Sequence, residues 1–363
     1  MKRRNVLVGG GALVAVAAGG VFVGREQMGS ASDYDAATDA TRATLPEVPK
    51  IADLIRYATL APNGHNAQPW FFRVSANQID ILPDFARRTP VVDPDDHHLF
   101  VSLGCAAENL ALASAARGRP GTPVFDPASN GSIVFEFAAA KPVTSDLFDA
   151  IPRRQSTRAV FDGRPVSAND LRMLGIAANM PGVDGILLTD RPQIDRVRDL
   201  VVSGNSTQMA DPAFLRELKS WLRFNPRQAA KTSDGLYSVA SGNPVLPSWV
   251  GQRAFDGLVT AKSENDKYAA QLRSSAGVAV FFGAKEDREH WALVGRACQR
   301  FALQATALGL KHAFVNQPIE VPALRPELAA LVGMQGRRPD IVMRFGYGPN
   351  LPFSARRPAR LVT

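Results

Sequence analysis

Two stretches of this chain repeat one another, and the repeat constrains the fold more than any other sequence feature. Val101–Arg119 and Ala292–Leu310 align without gaps and share six identical residues, among them Gly104 and Gly295, which are 191 positions apart. Two shorter helical patterns, at Asp53-Leu54 and Asp170-Leu171, are 117 positions apart. The offsets differ by 74 residues, so the second copy is predicted to carry an insertion of about that size. The chain is therefore predicted to contain two related halves.

Each half is predicted to mix helices and strands, which indicates an α+β fold. Apolar residues at helical spacing from Ile51 predict a helix that stops at Pro62. The acidic run Asp93-Pro94-Asp95-Asp96 is typical of a helix cap. The other predicted elements of the first half are strands at Trp70–Val74 and Ile79–Leu82, a helix at His97–Arg117 and a strand at Ile133–Phe137.

The second half repeats this plan, with a helix beginning at Ser167-Ala168-Asn169-Asp170. The elements predicted after it are a strand at Ile186–Thr189, a helix at Trp291–Leu308 and a strand at Ile341–Gly346. We place the insertion at 200–275, with a short helix at Pro212–Arg223 followed by a run rich in Ser, Gly, Asn and Pro. Long irregular segments in compact domains are often lids, and a plain surface excursion is the alternative.

The N-terminus indicates a targeting segment followed by a linker. Lys2-Arg3-Arg4 precedes an uncharged Gly/Ala/Val run, which is typical of a secretory signal with a cut after Ala31. The paired arginines resemble a twin-arginine (Tat) signal, so we predict a Tat-like segment at 1–31 and export to the periplasm or cell envelope. An uncleaved anchor, an ordinary secretory signal and a cytoplasmic protein with a non-functional signal are the alternatives. Residues 32–45 are predicted to be a linker, with ordered structure from about Leu45.

The composition excludes several classes of function. The formal charge is +8, but the basic pairs are scattered and lack interleaved aromatic residues, so no nucleic-acid partner is predicted. Cys105 and Cys298 are the only cysteines and lie in apolar helical patterns, so buried, inert thiols are expected and no structural zinc site is predicted. His97-His98 beside three aspartates is interpreted as a capping loop rather than a metal site, so no metal is predicted. No Gly-x-Ser-x-Gly elbow supports a serine hydrolase.

Two polar motifs point to a small phosphate-bearing ligand. Arg153-Arg154-Gln155-Ser156-Thr157-Arg158 gathers three guanidiniums around two hydroxyls and an amide, which suits a phosphate and the polar edge of a planar ring. Ala61-Pro62-Asn63-Gly64-His65-Asn66-Ala67-Gln68-Pro69-Trp70 runs from a helix end into a strand. Taken singly, each motif also has an ordinary structural interpretation, a solvated loop or a turn.

Together these motifs resemble the two halves of the FMN site in the nitroreductase superfamily, and the tandem plan resembles its two-domain Acg-type branch. The resemblance covers about residues 46–357. It implies a nitroreductase-like FMN-binding fold in which two fused half-copies, at 46–143 and 144–349, form a pseudo-dimer. Only the first half keeps Asn-x-Gln-Pro-Trp and only the second has Arg-Gln-Ser-Thr-Arg, so one composite FMN site per chain is expected.

The resemblance also assigns roles to individual residues. Arg154, Gln155 and Ser156 would hold the phosphate and ribityl end, together with Arg356 or Arg357 from the basic tail at 350–363. Arg158 would lie near the flavin ring and raise its reduction potential. The first half would contribute Pro62, Asn63, Gly64 and Asn66, and the turn Pro318-Ile319-Glu320 would direct backbone N–H groups at the reactive edge. Val321 replaces the glycine of that turn, which disfavours a positive φ there.

The function that follows is an FMN-dependent oxidoreductase working by ping-pong hydride transfer. NAD(P)H would be the donor, and a nitroaromatic or a quinone the small-molecule acceptor. No catalytic side chain is expected, because the cofactor performs the chemistry. The alternatives are an FMN-binding or sequestering protein whose insertion covers the flavin, and a cofactor-free relic. The chain is expected to be a monomer or a homodimer.

Overall fold

The computed structural model describes residues 28–362; the predicted signal lies almost wholly outside this range. Most of the strands form two mainly antiparallel sheets, each with its own helices, as the α+β prediction requires, and two short strands form a small parallel sheet. No helix in the described range is long and apolar enough to cross a membrane.

The first half forms one sheet with two helices packed against it. Its elements are α2 (Ile51–Thr59), β1 (Trp70–Ser75), β2 (Gln78–Pro83), α3 (His97–Ala115), β3 (Pro123–Asp126) and β4 (Ser132–Glu136). The strand order is β1-β2-β4-β3, with every neighbouring pair antiparallel. The sequence-predicted helices and strands are confirmed; β3 was not predicted, because four residues headed by proline give too short a pattern to read as a strand.

The second half has the same strand order. It contains α4 (Asp146–Ala150), α5 (Ala168–Ala178), β5 (Val183–Leu188), β8 (Gly277–Gly283), α11 (Arg288–Ala307), β9 (Lys311–Phe314), α12 (Gln317–Glu320), α13 (Arg325–Leu331) and β10 (Ile341–Gly346). The order β5-β8-β10-β9 matches β1-β2-β4-β3 position by position. Ser167 accepts a hydrogen bond from the Asp170 N–H, so the predicted cap of α5 is confirmed. β8 and β10 are fully buried in the middle of the sheet.

The two long helices α3 and α11 join the halves in one hydrophobic core. A Cβ on Gly104 would lie 1.9 Å from the Ala292 carbonyl oxygen, and one on Gly295 would lie 2.0 Å from the Val101 carbonyl oxygen. Gly104 and Gly295 are 191 positions apart, and so are Val101 and Ala292, so the two contacts occupy equivalent positions in the two halves. Glycine is therefore required at both positions, because any side chain would separate the helices.

Polar pairs across the same interface obey the same symmetry. Glu108 Oε1 accepts from Arg300 Nη1 at 2.8 Å, and Asn109 Oδ1 accepts from Gln299 Nε2 at 2.6 Å. Glu108 and Gln299 are 191 positions apart, and so are Asn109 and Arg300, so the two hydrogen-bonded pairs occupy equivalent positions in the two halves. The chain therefore has the pseudo-two-fold arrangement of two fused half-copies.

The insertion lies between β5 and β8 and is mostly helical. It contains α6 (Arg191–Met209), α7 (Pro212–Trp221), β6 (Leu222–Arg223), α8 (Pro226–Thr232), β7 (Leu236–Tyr237), α9 (Ser248–Leu258) and α10 (Ala261–Arg273). The predicted short helix at Pro212–Arg223 is confirmed as α7, but the prediction that the rest of the insertion is largely irregular is wrong except for about 233–247. Helix α6 was missed because its polar residues are spread through the pattern, whereas its buried residues pack against α10 and β8.

Both ends of the described chain pack against the body. The predicted linker is wrong, because Ala31–Thr41 forms helix α1, with Tyr34 and Thr38 buried. The tail forms β11 (Leu361–Val362), which adds to the first-half sheet parallel to β1. The tail thus runs from the second half back to the first and brings residues 350–357 between them.

Candidate functional site

A cavity of about 210 Å³ lies where the first half, the second half and the insertion meet. The first half contributes Pro62, Asn63 and Gly64 to its wall, and the second half contributes Arg158 and Glu320. The insertion covers the rest with residues of α6, α7 and α10, among them Gln208, Phe214 and Tyr268. The mixture of apolar side chains and a few convergent polar groups is typical of a small-molecule site.

A second cavity of about 60 Å³ adjoins the first, because Pro62, Asn63 and Arg158 line both. Its wall brings together predicted residues that are far apart in sequence. These are Asn66 from the first half, Arg154, Gln155 and Ser156 from the second half, and Arg356 from the tail. Arg42 and Ser354 also line it.

The smaller cavity is strongly cationic. Arg154 is 2% exposed, and Arg42 and Arg356 are each 8% exposed. Burial, and then the charge of Arg154, lower the pKa of Arg356 to about 9; burial lowers that of Arg154 to about 10. Among the described side chains, no carboxylate forms an ion pair with any of the three.

Arg154 has donors to spare, whereas Arg356 is fully occupied. Arg154 Nη2 donates to the Leu60 carbonyl at 3.0 Å, but its buried Nε and Nη1 have no partner among residues 28–362. Arg356 donates to the carbonyls of Thr59 and Ala61, at the end of α2, and to Asn66 Oδ1. It therefore supplies positive charge to the cavity and also fixes the 59–66 loop to the tail.

Arg158 is half-buried at the junction of the two cavities, and burial lowers the pKa of its guanidinium. The neighbouring His65 has its pKa lowered to about 4 by burial and then by the charge of Arg158, so it is neutral at pH 7. The junction thus carries one uncompensated guanidinium. Ser156 lines the smaller cavity together with Arg158, and its backbone forms a parallel β-bridge with His312.

The loop from Asn63 to Gln68 is strained. His65, Asn66 and Gln68 have φ values of 50°, 54° and 55°, in a region that non-glycine residues rarely adopt. Side-chain hydrogen bonds hold the loop: Asn63 Oδ1 accepts from the Gln68 N–H at 2.7 Å, and Asn66 Nδ2 donates to the Gly235 and Ala355 carbonyls. Gly64 has no positive φ. A Cβ at this position would meet no atom within 4 Å, because Gly64 borders the open space of the larger cavity.

Gln155 and Arg357 act as anchors for the tail. The Gln155 amide pairs with the backbone of Leu351 in both directions, at 2.7 and 2.8 Å. The Arg357 N–H donates to Gln68 Oε1 at 2.8 Å, while its side chain lies outside both cavities. Of the two tail arginines proposed for the phosphate, Arg356 is therefore the one at the site.

The turn around Pro318 differs from the role that the resemblance implies. The N–H groups of Ile319 and Glu320 both donate to the Asn316 carbonyl at 2.9 Å, and that of Val321 donates to Gln317. The turn therefore offers side chains, not free N–H groups, and Pro318 is buried outside both cavity walls. Val321 has a φ of −99°, so the valine causes no backbone strain.

Glu320 introduces an acidic group into the wall of the larger cavity, which Arg158 also lines. Its Oε2 accepts from Gln208 Nε2 at 2.7 Å. Burial raises its pKa to about 7, and the charges of Asp93 and Glu217 add to the effect. Tyr268 of α10 lies in the same wall, and burial raises its pKa to about 12. The larger cavity thus contains a carboxyl that can gain or lose its proton near neutral pH and a phenol that stays protonated there.

The acidic run before α3 caps the helix. The Asp93 carboxylate accepts from the N–H groups of His98 and Leu99, at 2.9 and 3.0 Å, whereas Asp96, the residue before the helix, pairs with Arg88. His97 Nε2 lies 2.9 Å from Asp340 Oδ1 in the core. Asp93, His97 and His98 approach each other closely enough to hold a metal ion, and each Asp93 oxygen also accepts one backbone hydrogen bond that caps the helix.

The two cysteines are buried free thiols, as predicted, with their Sγ atoms 3.6 Å apart between α3 and α11. Cys105 also lines the larger cavity. Sequence reasoning missed Arg42, His65, Gln208 and Tyr268. His65 lies inside the motif at Ala61–Trp70 but was given no role, whereas Arg42, Gln208 and Tyr268 lie in the 32–45 segment and the insertion, which carry no recognisable motif.

No family model matches the chain. It is 25% identical over 315 residues to two proteins of Mycobacterium tuberculosis named putative NAD(P)H nitroreductases, Rv3131 and MT3217, covering 84% of this chain and 87% of each relative. Among solved structures it is similar to the FMN-dependent nitroreductase NfnB of Mycobacterium smegmatis in complex with NADPH, with 15% identity, 56% and 87% coverage and a TM-score of 0.36. A nitroreductase with bound FMN from Desulfitobacterium hafniense gives 14% identity, 58% and 94% coverage and a TM-score of 0.37.

Proposed function

We propose that this chain is an FMN-dependent oxidoreductase of nitroreductase type. It would transfer hydride from NAD(P)H to an electron-poor acceptor in a ping-pong cycle, at one FMN site per chain. The names of the two relatives support the reaction class and the nicotinamide donor. The arrangement of the two adjoining cavities supports the cofactor.

The observation that carries this proposal is the unpaired positive charge of the smaller cavity. A buried guanidinium is normally paired, because leaving a charge without a counterion in a low-dielectric interior costs several kcal/mol. Arg154 and Arg356 lack such a carboxylate partner, and two Arg154 donors face no protein acceptor. A phosphate supplies both the negative charge and the acceptors.

The residues present fit the two ends of FMN. Arg154 and Ser156 would hold the phosphate, with Arg356 adding positive charge, and the larger cavity beside Arg158, Asn63 and Pro62 would hold the ring. When bound, FMN supplies the hydride chemistry. The chain supplies a fixed cation, a neutral histidine and a cavity covered on one side by the insertion. Glu320, where it meets Gln208 of the insertion, can gain or lose a proton near neutral pH, and Tyr268 of the insertion can donate a hydrogen bond from a phenol that stays protonated.

The experiment that tests the proposal is spectroscopic. Protein purified from flavin-rich cells is expected to show flavin absorption that disappears when NADPH or NADH is added without oxygen and returns with a quinone. Protein that binds no flavin after reconstitution with FMN would contradict the cofactor. Protein that binds FMN but is reduced by neither nicotinamide would contradict the oxidoreductase.

The second candidate is a protein that sequesters FMN. The observation in its favour is that helices α6, α7 and α10 of the insertion form one side of the larger cavity. If these helices cover the ring, FMN would bind tightly but stay inaccessible to nicotinamide. Stopped-flow reduction distinguishes the two, because a small reductant such as dithionite would then bleach the flavin while NAD(P)H would not.

We also propose that the protein is exported by the Tat route. Tat systems carry folded proteins, and FMN is available in the cytoplasm. A cofactor bound before export stabilises the folded chain by mass action, by about 2.7 kcal/mol at 100 times its dissociation constant. The paired Arg3-Arg4 supports this route.

A further inference from the structure

Helix α1 places a further guanidinium in the anion site. Arg42 directly follows the helix and is 8% exposed. Its Nη1 donates to the Pro152 carbonyl at 2.8 Å, and the guanidinium lies 3.7 Å from the centre of the Phe353 ring. Its buried Nε has no protein partner. Arg42 therefore has an arrangement like that of Arg154, with one face fixed to carbonyls and a donor left over.

The charge environment of Arg42 favours an anion. Burial lowers the pKa of Arg42, and the neighbouring guanidiniums of Arg356 and Arg154 lower it further. Three like charges thus repel one another around one small cavity. A bound dianion would replace this repulsion with attraction and would accept the free donors.

We infer that Arg42 is an additional ligand of the anion site, so that the segment following the predicted signal is part of the cofactor-binding site. This inference rests on the proposed function for the identity of the ligand, a phosphate monoester of the FMN type. It does not follow from either sequence motif, because Arg42 lies outside both.

The contacts of α1 explain how binding would be transmitted to this segment. Only Tyr34 and Thr38 are buried among its eleven residues, so few contacts hold the helix; Tyr34 packs against Tyr237, with the ring centroids 4.5 Å apart. The Tyr34 hydroxyl donates to the Phe353 carbonyl at 2.8 Å and accepts from the Ala355 N–H at 3.0 Å. Because few apolar contacts hold α1, local opening should be easy without the anion and suppressed with it.

The test combines affinity with hydrogen exchange on the full chain. The variants are Arg42→Met, Arg42→Lys to retain the charge, and Arg172→Met, which removes the same charge from the exposed face of α5. FMN and inorganic phosphate are the two probes. We expect Arg42→Met to weaken binding of both by about 10- to 100-fold, Arg42→Lys to lose less, and Arg172→Met to match the wild type. FMN should slow amide exchange in residues 31–42 of the wild type, but not of Arg42→Met.

The outcomes separate this inference from the proposed function. Wild type that binds FMN, with Arg42→Met binding equally well and exchange in 31–42 unchanged by FMN, overturns the role of Arg42 alone. Wild type that binds phosphate but not FMN overturns the cofactor; a loss of phosphate affinity in Arg42→Met would still support the anion site. Wild type that binds neither probe overturns both. If Arg42→Met does not fold, the Arg42→Lys titration decides.

Discussion

Replacing Arg154 with methionine should have opposite effects on the free protein and on the complex. The pKa of Arg154 is lowered from 12.5 to about 10, which corresponds to about 3 kcal/mol of penalty for the buried charge. Methionine removes that penalty and loses one charge-assisted bond to the Leu60 carbonyl, worth about 1.5–3 kcal/mol. That carbonyl keeps Arg356 Nη2 as a donor at 3.3 Å. The flavin-free variant should therefore be as stable as the wild type or more stable, by about 0–2 kcal/mol.

The complex should be weakened strongly. The two free donors, Nε and Nη1, would each make a charge-assisted bond of about 1.5–3 kcal/mol to the phosphate. Their joint loss corresponds to a fall in FMN affinity of about 10²- to 10⁴-fold. Flavin fluorescence titration measures the affinity, and denaturant unfolding of flavin-free protein measures the stability.

The matched control is Arg153→Met, one position away on an exposed side chain that donates to the Asp149 carbonyl. It should leave both quantities within about twofold and about 0.5 kcal/mol of the wild type. An Arg154→Met variant that binds FMN as tightly as the wild type would refute the anion site. A flavin-free variant destabilised by several kcal/mol would show that Arg154 is structural.

Three further predictions concern stoichiometry, pH and export. FMN should saturate at one per chain, since the second half has lost the Asn-x-Gln-Pro-Trp motif; a titration that reaches two per chain would contradict the single composite site. Burial raises the pKa of Glu320 to about 7 in the folded state, whereas the unfolded carboxyl titrates near 4.5. Between these pH values only the folded state keeps the proton, so the free energy of unfolding should fall by up to about 3 kcal/mol as pH rises through this window. In denaturant unfolding from pH 4 to 8, Glu320→Gln should reduce this loss of stability, whereas the exposed control Glu327→Gln should leave it unchanged. An equal dependence of stability on pH in the wild type and both variants would exclude the effect. Replacing Arg3 and Arg4 with lysine should abolish export in a fractionation assay, and undiminished export would contradict the Tat route.

Elements whose pattern is local were predictable from the sequence. The spacing of apolar residues located α2, α3, α5, α11 and β10, because a helix or strand with one buried face has a fixed period. Helix α1 and most of the insertion were missed. In α1 only two residues are buried, so there is hardly any apolar period to detect. In α6 the positions of the buried residues depend on the elements against which the helix packs, so the pattern of the helix alone does not reveal them.

The candidate site was predictable only in part, for the same reason. The sequence predicted the duplication, helices α2, α3, α5, α7 and α11, strands β1, β2, β4, β5 and β10, and the two polar motifs, because each element or motif is a pattern within a short segment. It did not predict β3, β8 or β9. Only the tertiary structure decided that Arg356 rather than Arg357 reaches the site, that the Pro318 turn uses up its own N–H groups, and that Arg42 joins from α1. These site residues come together because the tail and α1 fold back across the interface between the halves. Side chains 100 to 300 positions apart are brought together by packing, and no local pattern records which of them will meet.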